Sequence, residues 1–332
     1  MPHSWPTPRI EEQPWPSLTE ARAVLMVCTR SALAAVRDRL HLNVASTWEV
    51  EDADLARWDA ALPLLRGEVV YAVGGGLATD AAKHVAVRLG LPLVSLPTAL
   101  SVDAFFTWAS GVRGDGCVRY IETRPPERVV VDYDVWRAAP PHLRAGGICD
   151  VLSIATGLWD WHYAHQRGLN PPHAPFIPWV ADVFRGILRG SVECAAAAGR
   201  GDTDGLRQLL HALATEVMVC NLIGHPRPEE GSEHYFAYSV ENRMGKGLPH
   251  GDLVGPGILL MAALQGQEVA PLRDALRACH IPLRNIPDAV VRETLAGLPA
   301  YSTRHGLAHG IAHELTPAMV DGIDLEAVLG PR

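Results

Sequence analysis

Between residues 23 and 132 short apolar runs alternate with segments of helical spacing. Ala23–Cys28 is an unbroken apolar run, the pattern of a strand buried on both faces. Ser31–Leu40 follows, with Leu33, Val36 and Leu40 on one helical stripe. Asn43–Glu51 holds a second strand. Leu55–Leu65 reads as a helix with Leu55, Trp58, Leu62 and Leu65 on one side. Glu68–Val73 is a third strand that runs into Gly74-Gly75-Gly76. Thr79–Leu89 reads as helix, Leu93–Leu96 as strand, the Gly-rich stretch 111–116 as a hairpin, and Arg128–Asp132 as a further strand. Strands alternating with helices predict a parallel α/β sheet. After Pro140-Pro141 the pattern turns helical: Gly147–His165, Pro178–Ala197, Asp204–Ile223, Ser232–Asn242, Asp252–Leu264, Ala270–Cys279 and Ala289–Leu298. This change predicts an α/β domain over 1–144 and an all-helical domain over 145–332. The Pro-rich residues 1–20 read as a loose lead-in and the small, polar segment 197–205 as a loop.

Composition narrows the class of function. Hydrophobic residues make up 48% and charged residues 20% of the 332 residues, an ordinary globular balance with enough apolar surface for a sizeable core, and the length predicts about two domains. A net charge of −8 lacks the basic excess of a nucleic-acid binder, so no nucleic-acid partner is expected. A locally positive site for an anionic small molecule remains compatible with it. The longest apolar stretch, Val254–Leu264, is too short and too interrupted for the ~20 residues of a spanning helix, so no membrane insertion is expected. Met1–Pro6 has neither the basic start nor the apolar core of a signal peptide. The six cysteines form no CxxC pair and read as reduced thiols. Together these features predict a cytoplasmic protein.

Four stretches can carry chemistry. In the first, Gly74, Gly75 and Gly76 stand between a strand and a helix that contains Asp80 and Lys83. Glycines there let a backbone approach a pyrophosphate closely, and the helix start offers free N–H groups. The spacing is not GxGxxG, and a plain tight turn with Asp80 as a first-turn acid is the simpler alternative. The second, Pro97–Phe105, follows another strand, so the hydroxyls of Thr98 and Ser101 can reach a ligand at the carboxyl edge of the sheet. Its alternative is a proline turn with Ser101 as a helix cap. The third, Gly146–Ser153, sets Asp150 alone in apolar sequence, as a ligand or as a helix-terminal acid. The fourth comprises Glu230–Tyr238 and Leu248–Val254, where His234 and His250 each begin a helical pattern. Asp150 with these two imidazoles would suit one Zn²⁺ or Fe²⁺ with open positions, a Lewis acid, although either His alone is more often a satisfied polar residue. His305, His309 and His313 also share helical spacing, but Gly306 and Gly310 weaken a helix there, so a solvated or packing stripe is expected.

In order, GGGxxxDxxK (Gly74 to Lys83), PTxxSxDAF (Pro97 to Phe105), GxxDxLSxxTxxxDW (Gly147 to Trp161), EGSEH (Glu230 to His234) and the later HG (His250-Gly251) resemble the sn-glycerol-1-phosphate dehydrogenase family. That family sits in the iron-containing alcohol dehydrogenase and dehydroquinate synthase-like superfamily. The first motif is shared across the superfamily, and the combination of the others is selective for the glycerol-phosphate branch. The resemblance spans roughly 68–265. It implies a Rossmann-like parallel-sheet domain followed by a helical one, with the active site in the cleft between them. It implies reversible reduction of dihydroxyacetone phosphate by NAD(P)H, a place in phospholipid biosynthesis, and a homo-oligomer. Carried over residue by residue, Gly74, Gly75, Gly76 and Asp80 resemble the dinucleotide loop, and Thr98 and Ser101 further cofactor contacts. Thr107 stands where the family has a small hydroxyl residue near the nicotinamide. Asp103 resembles a substrate contact. Asp150, His234 and His250 match the metal ligands, with Asp150 also near substrate. One position departs: where the family has a substrate-contacting His four residues after the first metal His, this chain has Tyr238. A phenol can hydrogen-bond but carries no positive charge toward a phosphate.

These readings leave alternatives. A dehydroquinate synthase-like cyclase would have a GGK stretch after the PT motif and Glu as first metal ligand. Here Thr107–Asp115 has no GGK, and the carboxylate is Asp150. A dehydrogenase of the same scaffold for another alcohol, aldehyde or phosphorylated substrate would account for Tyr238. A metal- or nucleotide-binding protein without turnover is a third class, disfavoured by three filled ligand positions. Glu49, Glu51 and Asp52 after the second strand favour NAD through a ribose hydroxyl, whereas Thr29 and Arg30 after the first accommodate the 2′-phosphate of NADP. Zn²⁺ is the first choice of metal, with Fe²⁺ and Ni²⁺ as alternatives.

Overall fold

The uninterrupted apolar runs become the middle of one parallel sheet. The computed structural model of the chain describes residues 5–245 and 248–331. It divides into two units between Pro140 and Pro141, a few residues before the boundary expected at 144. The first unit contains strands β1 (Arg9–Glu12), β2 (Val24–Cys28), β3 (Val44–Glu49), β4 (Val69–Gly74), β5 (Leu93–Pro97), β6 (Ala109–Gly114), β7 (Cys117–Glu122) and β8 (Arg128–Val131). Its helices are α1 (Arg30–Val36), α2 (Leu55–Ala61), α3 (Gly76–Leu89) and α4 (Tyr133–Ala138). Six strands form a sheet in the order β1-β8-β5-β4-β2-β3, and every pairing in it is parallel.

Every residue of β2, β4 and β5 is buried, as expected of strands covered on both faces, whereas edge strand β3 has no buried residue. Trp58, Val70, Ala78, Ala82 and Val85 pack into one core with these strands. β6 and β7 pair antiparallel as the expected hairpin. Asp115 and Gly116 at its tip both have positive φ (54° and 76°), the geometry an Asp-Gly turn supplies.

The expectation of a loose lead-in over 1–20 is corrected. β1 pairs in parallel with β8 along Arg9–Glu12. Trp15 is fully buried, and its indole N–H donates to the Val130 carbonyl at 3.1 Å. Arg9-Ile10-Glu11-Glu12 is an edge strand with one apolar residue, so no apolar run announces it.

The second unit contains α5 (Pro141–Arg144), α6 (Ile148–Gln166), α7 (Pro178–Arg200), α8 (Thr203–Ile223), α9 (Ser232–Met244), α10 (His250–Leu264), α11 (Ala270–Ala278), α12 (Asp288–Arg304), α13 (Pro317–Gly322) and α14 (Leu325–Leu329). The loop expected over 197–205 shrinks to Gly201 and Asp202. Gly201 ends α7 at φ 79°, and the Asp202 carboxylate caps α8 by accepting from the N–H groups of Asp204 and Gly205. The small residues that suggested a loop serve helix packing instead: Ala198 and Gly199 are buried in α7. The His305, His309 and His313 stripe lies on no common helix. His305 caps α12, and His313 closes a single 3-10 turn, Ile311–His313. Among the described residues no helix is long and apolar enough to cross a membrane.

Candidate active site

In the helical unit one face of α6 builds most of a polar centre. Asp150, Ser153, Gly157 and Asp160 recur at helical spacing on α6, with Thr156 beside them, and all are buried. Gly157 lets the segment ahead of α9 come close: a Cβ there would stand 3.1 Å from the Glu229 carbonyl carbon. Ser153 donates its hydroxyl proton to the Glu229 carbonyl at 2.5 Å. Asp160 accepts from the backbone N–H of Ser232 at 2.8 Å and from its hydroxyl, and also from the Ile311 N–H at 2.8 Å. These bonds fix the first turn of α9, which carries His234.

Three residues converge there. Asp150, His234 and His250 each offer one ligand-capable atom, and these atoms lie within 4.8 Å of one another. His250 Nε2 stands 3.0 Å from Asp150 Oδ1, and the two imidazole rings are 5.3 Å apart. Among the described residues this is the one group of its kind. A carboxylate and two imidazoles this close are the donor set of a divalent metal site with open positions. The His305, His309 and His313 stripe forms no such group. His309 instead contacts Glu314 at 3.0 Å and stacks on His313.

The surroundings of His234 settle its orientation. Its Nδ1 lies 2.8 Å from Glu233 Oε1, which leaves Nε2 for a ligand. Glu233 is itself buried and held, accepting from the Gly231 N–H at 2.6 Å and from the Thr156 hydroxyl at 2.7 Å. Burial alone would push the His234 imidazole down. The Glu233 hydrogen bond and the charges of Glu233, Glu230 and Asp150 outweigh it and lift the imidazole to about 9. The pocket is thus strongly attractive to positive charge. Tyr238, one turn further along α9, is buried and donates its phenolic proton to Glu230 Oε1 at 2.7 Å.

In the α/β unit the glycine turn joins β4 to α3. Gly74 has φ +151°, a conformation that side chains disfavour, and a Cβ there would stand 2.9 Å from the Ala78 Cβ. Gly75 caps α3 and Gly76 is its first residue. The segment after β5 lies beside this turn: the Thr98 N–H donates to the Gly74 carbonyl at 3.3 Å, and Ser101 Oγ is 3.2 Å from where a Gly75 Cβ would be. The structure therefore brings Gly74, Gly75, Gly76, Thr98 and Ser101 together. Asp103 begins the turn that follows, its carbonyl accepting from the Phe106 N–H at 2.8 Å.

Asp80 and Thr107 are engaged elsewhere in this unit, around Lys83. That lysine is fully buried. Its ammonium lies 2.8 Å from Asp80 Oδ1 and donates to the Thr107 hydroxyl at 2.8 Å and to the carbonyls of Ala104 and Ala109. Asp80 also accepts from the Gly111 N–H at 3.1 Å. This knot ties α3 to the loop after β5 and to the hairpin.

Sequence reasoning missed Glu233, Thr156, Asp160 and the bonding of Lys83, although all four lie inside the quoted motifs. Placing 150, 153, 157 and 160 on one helical wheel would have marked a polar stripe in an otherwise apolar helix.

Residues 20–140 match the family model described as iron-containing alcohol dehydrogenase. The chain is 30% identical over 259 residues to a glycerol-1-phosphate dehydrogenase [NAD(P)+] of Methanothrix thermoacetophila, covering 76% of this chain and 72% of that protein. It is 27% identical over 256 residues to the protein of the same name from Pyrococcus abyssi, covering 77% and 73%. In fold it is similar to the crystal structure of a probable glycerol dehydrogenase from Sinorhizobium meliloti, with a TM-score of 0.71, 20% identity and coverage of 98% and 97%. The chain belongs to the glycerol-1-phosphate dehydrogenase family within the iron-containing alcohol dehydrogenase superfamily, and it is an NAD(P)-dependent oxidoreductase.

Proposed function

We propose that the protein interconverts dihydroxyacetone phosphate and sn-glycerol 1-phosphate, with Asp150, His234 and His250 holding one divalent metal and the Gly74–Gly76 turn holding NAD(P)H. The observation that carries this reading is the convergence of the carboxylate and two imidazoles within 4.8 Å, in a chain of this family. The donor set fits the group: one anionic oxygen and two neutral nitrogens suit Zn²⁺, and equally Fe²⁺ or Ni²⁺. When bound, the metal supplies Lewis-acid polarisation of a substrate carbonyl and stabilises developing alkoxide charge.

The chain's own residues do the rest. Glu233 fixes the His234 tautomer and keeps the ring from turning. Thr156 and Asp160 on α6 hold Glu233 and the start of α9 in place. In the other unit, Gly74, Gly75 and Gly76 admit the pyrophosphate, Thr98 and Ser101 border it, and Lys83 holds Asp80, Thr107 and the loop between β5 and β6. Asp103 is assigned to the substrate.

The test is purified protein with NADH or NADPH and dihydroxyacetone phosphate, with and without a chelator. Expected is substrate-dependent oxidation of the cofactor, abolished by the chelator and restored by Zn²⁺, Fe²⁺ or Ni²⁺. Cofactor binding without turnover on this substrate would overturn the substrate assignment.

One observation favours a second reading, a dehydrogenase of the same scaffold acting on a different hydroxy-ketone or aldehyde. Tyr238 is bonded to the Glu230 carboxylate, where the family has a His that contacts substrate. Turnover of unphosphorylated dihydroxyacetone exceeding that of its phosphate would select this reading.

A further inference from the structure

We infer that the α/β unit selects NADPH by reading its ribose 2′-phosphate through Arg30, with Glu49 holding that guanidinium in the absence of cofactor. This rests on the dinucleotide reading of the Gly74–Gly76 turn.

The argument begins with topology. From β2 the chain moves one way across the sheet, to β3; from β4 it moves the other way, to β5. The direction reverses between β2 and β4, and open α/β sheets bind ligands outside the carboxyl ends of the strands at such a point. Thr29, which follows β2, and Gly74, which ends β4, border this crevice. Thr29 Oγ1 is 3.6 Å from where a Gly74 Cβ would stand.

Register then fixes which side chains lie along the crevice. Cys28 is level with Val73 on one side and with Glu49 on the other, so the carboxyl ends of three adjacent strands lie in one row. Strands are about 4.8 Å apart, which sets Glu49 on the order of 10 Å from the glycine turn. A dinucleotide with its pyrophosphate on that turn has two halves to place. Thr98 and Ser101 stand on the β5 side and take the nicotinamide half. The adenosine half then lies over β2 and β3, with its ribose edge toward Arg30 and Glu49.

The chemistry there suits a phosphate. A reader of NADH uses a carboxylate to accept from the ribose hydroxyls. In this chain Thr29 follows β2, and the carboxylate in the row, Glu49, is already bound by Arg30, Nε to Oε2 at 2.9 Å. The Arg30 side chain is 82% exposed and that of Glu49 38%. An ion pair that exposed is weak, so the guanidinium can exchange a carboxylate for a doubly charged phosphate that matches its fork.

The experiment is equilibrium binding, independent of turnover and of metal. NADPH and NADH are titrated into wild type, Arg30→Ala and Glu49→Gln, followed by calorimetry, with 2′,5′-ADP and 5′-ADP as competing fragments. Expected is NADPH binding at least about tenfold tighter than NADH in wild type. Arg30→Ala should weaken NADPH by about tenfold or more, leave NADH within about twofold, and erase the advantage of 2′,5′-ADP over 5′-ADP. Glu49→Gln should tighten NADPH and leave NADH unchanged. Arg30 is exposed, so its variant is not at risk of misfolding. NADH binding as tightly as NADPH in wild type, or equal loss of both in Arg30→Ala, would overturn the inference alone. Binding of neither cofactor would overturn the glycine-turn reading, and the inference with it.

Discussion

The negative charges of Glu233, Glu230 and Asp150 around His234 favour a cation there. Asp150→Asn, His234→Ala and His250→Ala are each expected to remove bound metal, and activity with it, while the fold persists. Metal analysis and circular dichroism check this, and full metal occupancy in all three variants would refute the assignment. Glu233→Gln retains the shape but removes the charge that orients the imidazole. It should lower metal affinity by about 10- to 100-fold, measured by competition with a chromogenic chelator. An unchanged affinity would mean that Glu233 merely packs. In the same unit, His225 packs edge-on against Trp161. Burial, with Arg227 and His173 nearby, holds its imidazole down at about 4 from an ordinary 6.5. The unfolded chain therefore takes up a proton that the folded one refuses, and stability falls as pH drops from about 6.5 to about 4. Thermal melts across that window should show this decline, and His225→Phe should flatten it. A wild-type melting temperature independent of pH there would contradict the account.

At the scale of elements, the glycine turn between β4 and α3 is closely packed, with a Gly74 Cβ position only 2.9 Å from the Ala78 Cβ. Gly75→Val would place a branched side chain where the pyrophosphate is proposed to bind and against Ser101, 3.2 Å from the new Cβ. Gly75 itself has φ −92°, which any residue adopts, so the variant should fold. Its affinity for NADH and NADPH should fall by at least about tenfold in a binding titration. Undiminished affinity in a folded variant would remove the turn from the site. Why some elements were legible in advance and others not has a physical cause. β2, β4 and β5 are covered on both faces, so their sequences are continuous apolar runs that no amphipathic helix shares. β1 lies at an edge, keeps charged residues, and exists because β8 pairs with it from 119 residues away, which no local pattern records. The supports of His234 escaped notice for the same reason: Thr156 and Asp160 acquire their meaning only when α6 lies against the start of α9.

For the molecule as a whole, one consequence follows from where its thiols lie. All six cysteines are buried. Burial also pushes the thiols of Cys28 and Cys194 up to about 11 and that of Cys279 to about 12, so they are protonated as well as inaccessible. An alkylating reagent can then modify them only during a transient opening, and the rate of modification becomes a clock for that opening. Each unit carries its own clocks, Cys28 and Cys117 in the first and Cys149, Cys194, Cys220 and Cys279 in the second. Peptide-resolved mass spectrometry after timed exposure to iodoacetamide should therefore give two sets of rates. Cys149, adjacent to Asp150, should be slowed by added metal, and Cys28, which precedes Thr29, by added dinucleotide. The native chain thus contains built-in probes of how each half breathes, and of which ligand quiets which half, with no label to introduce.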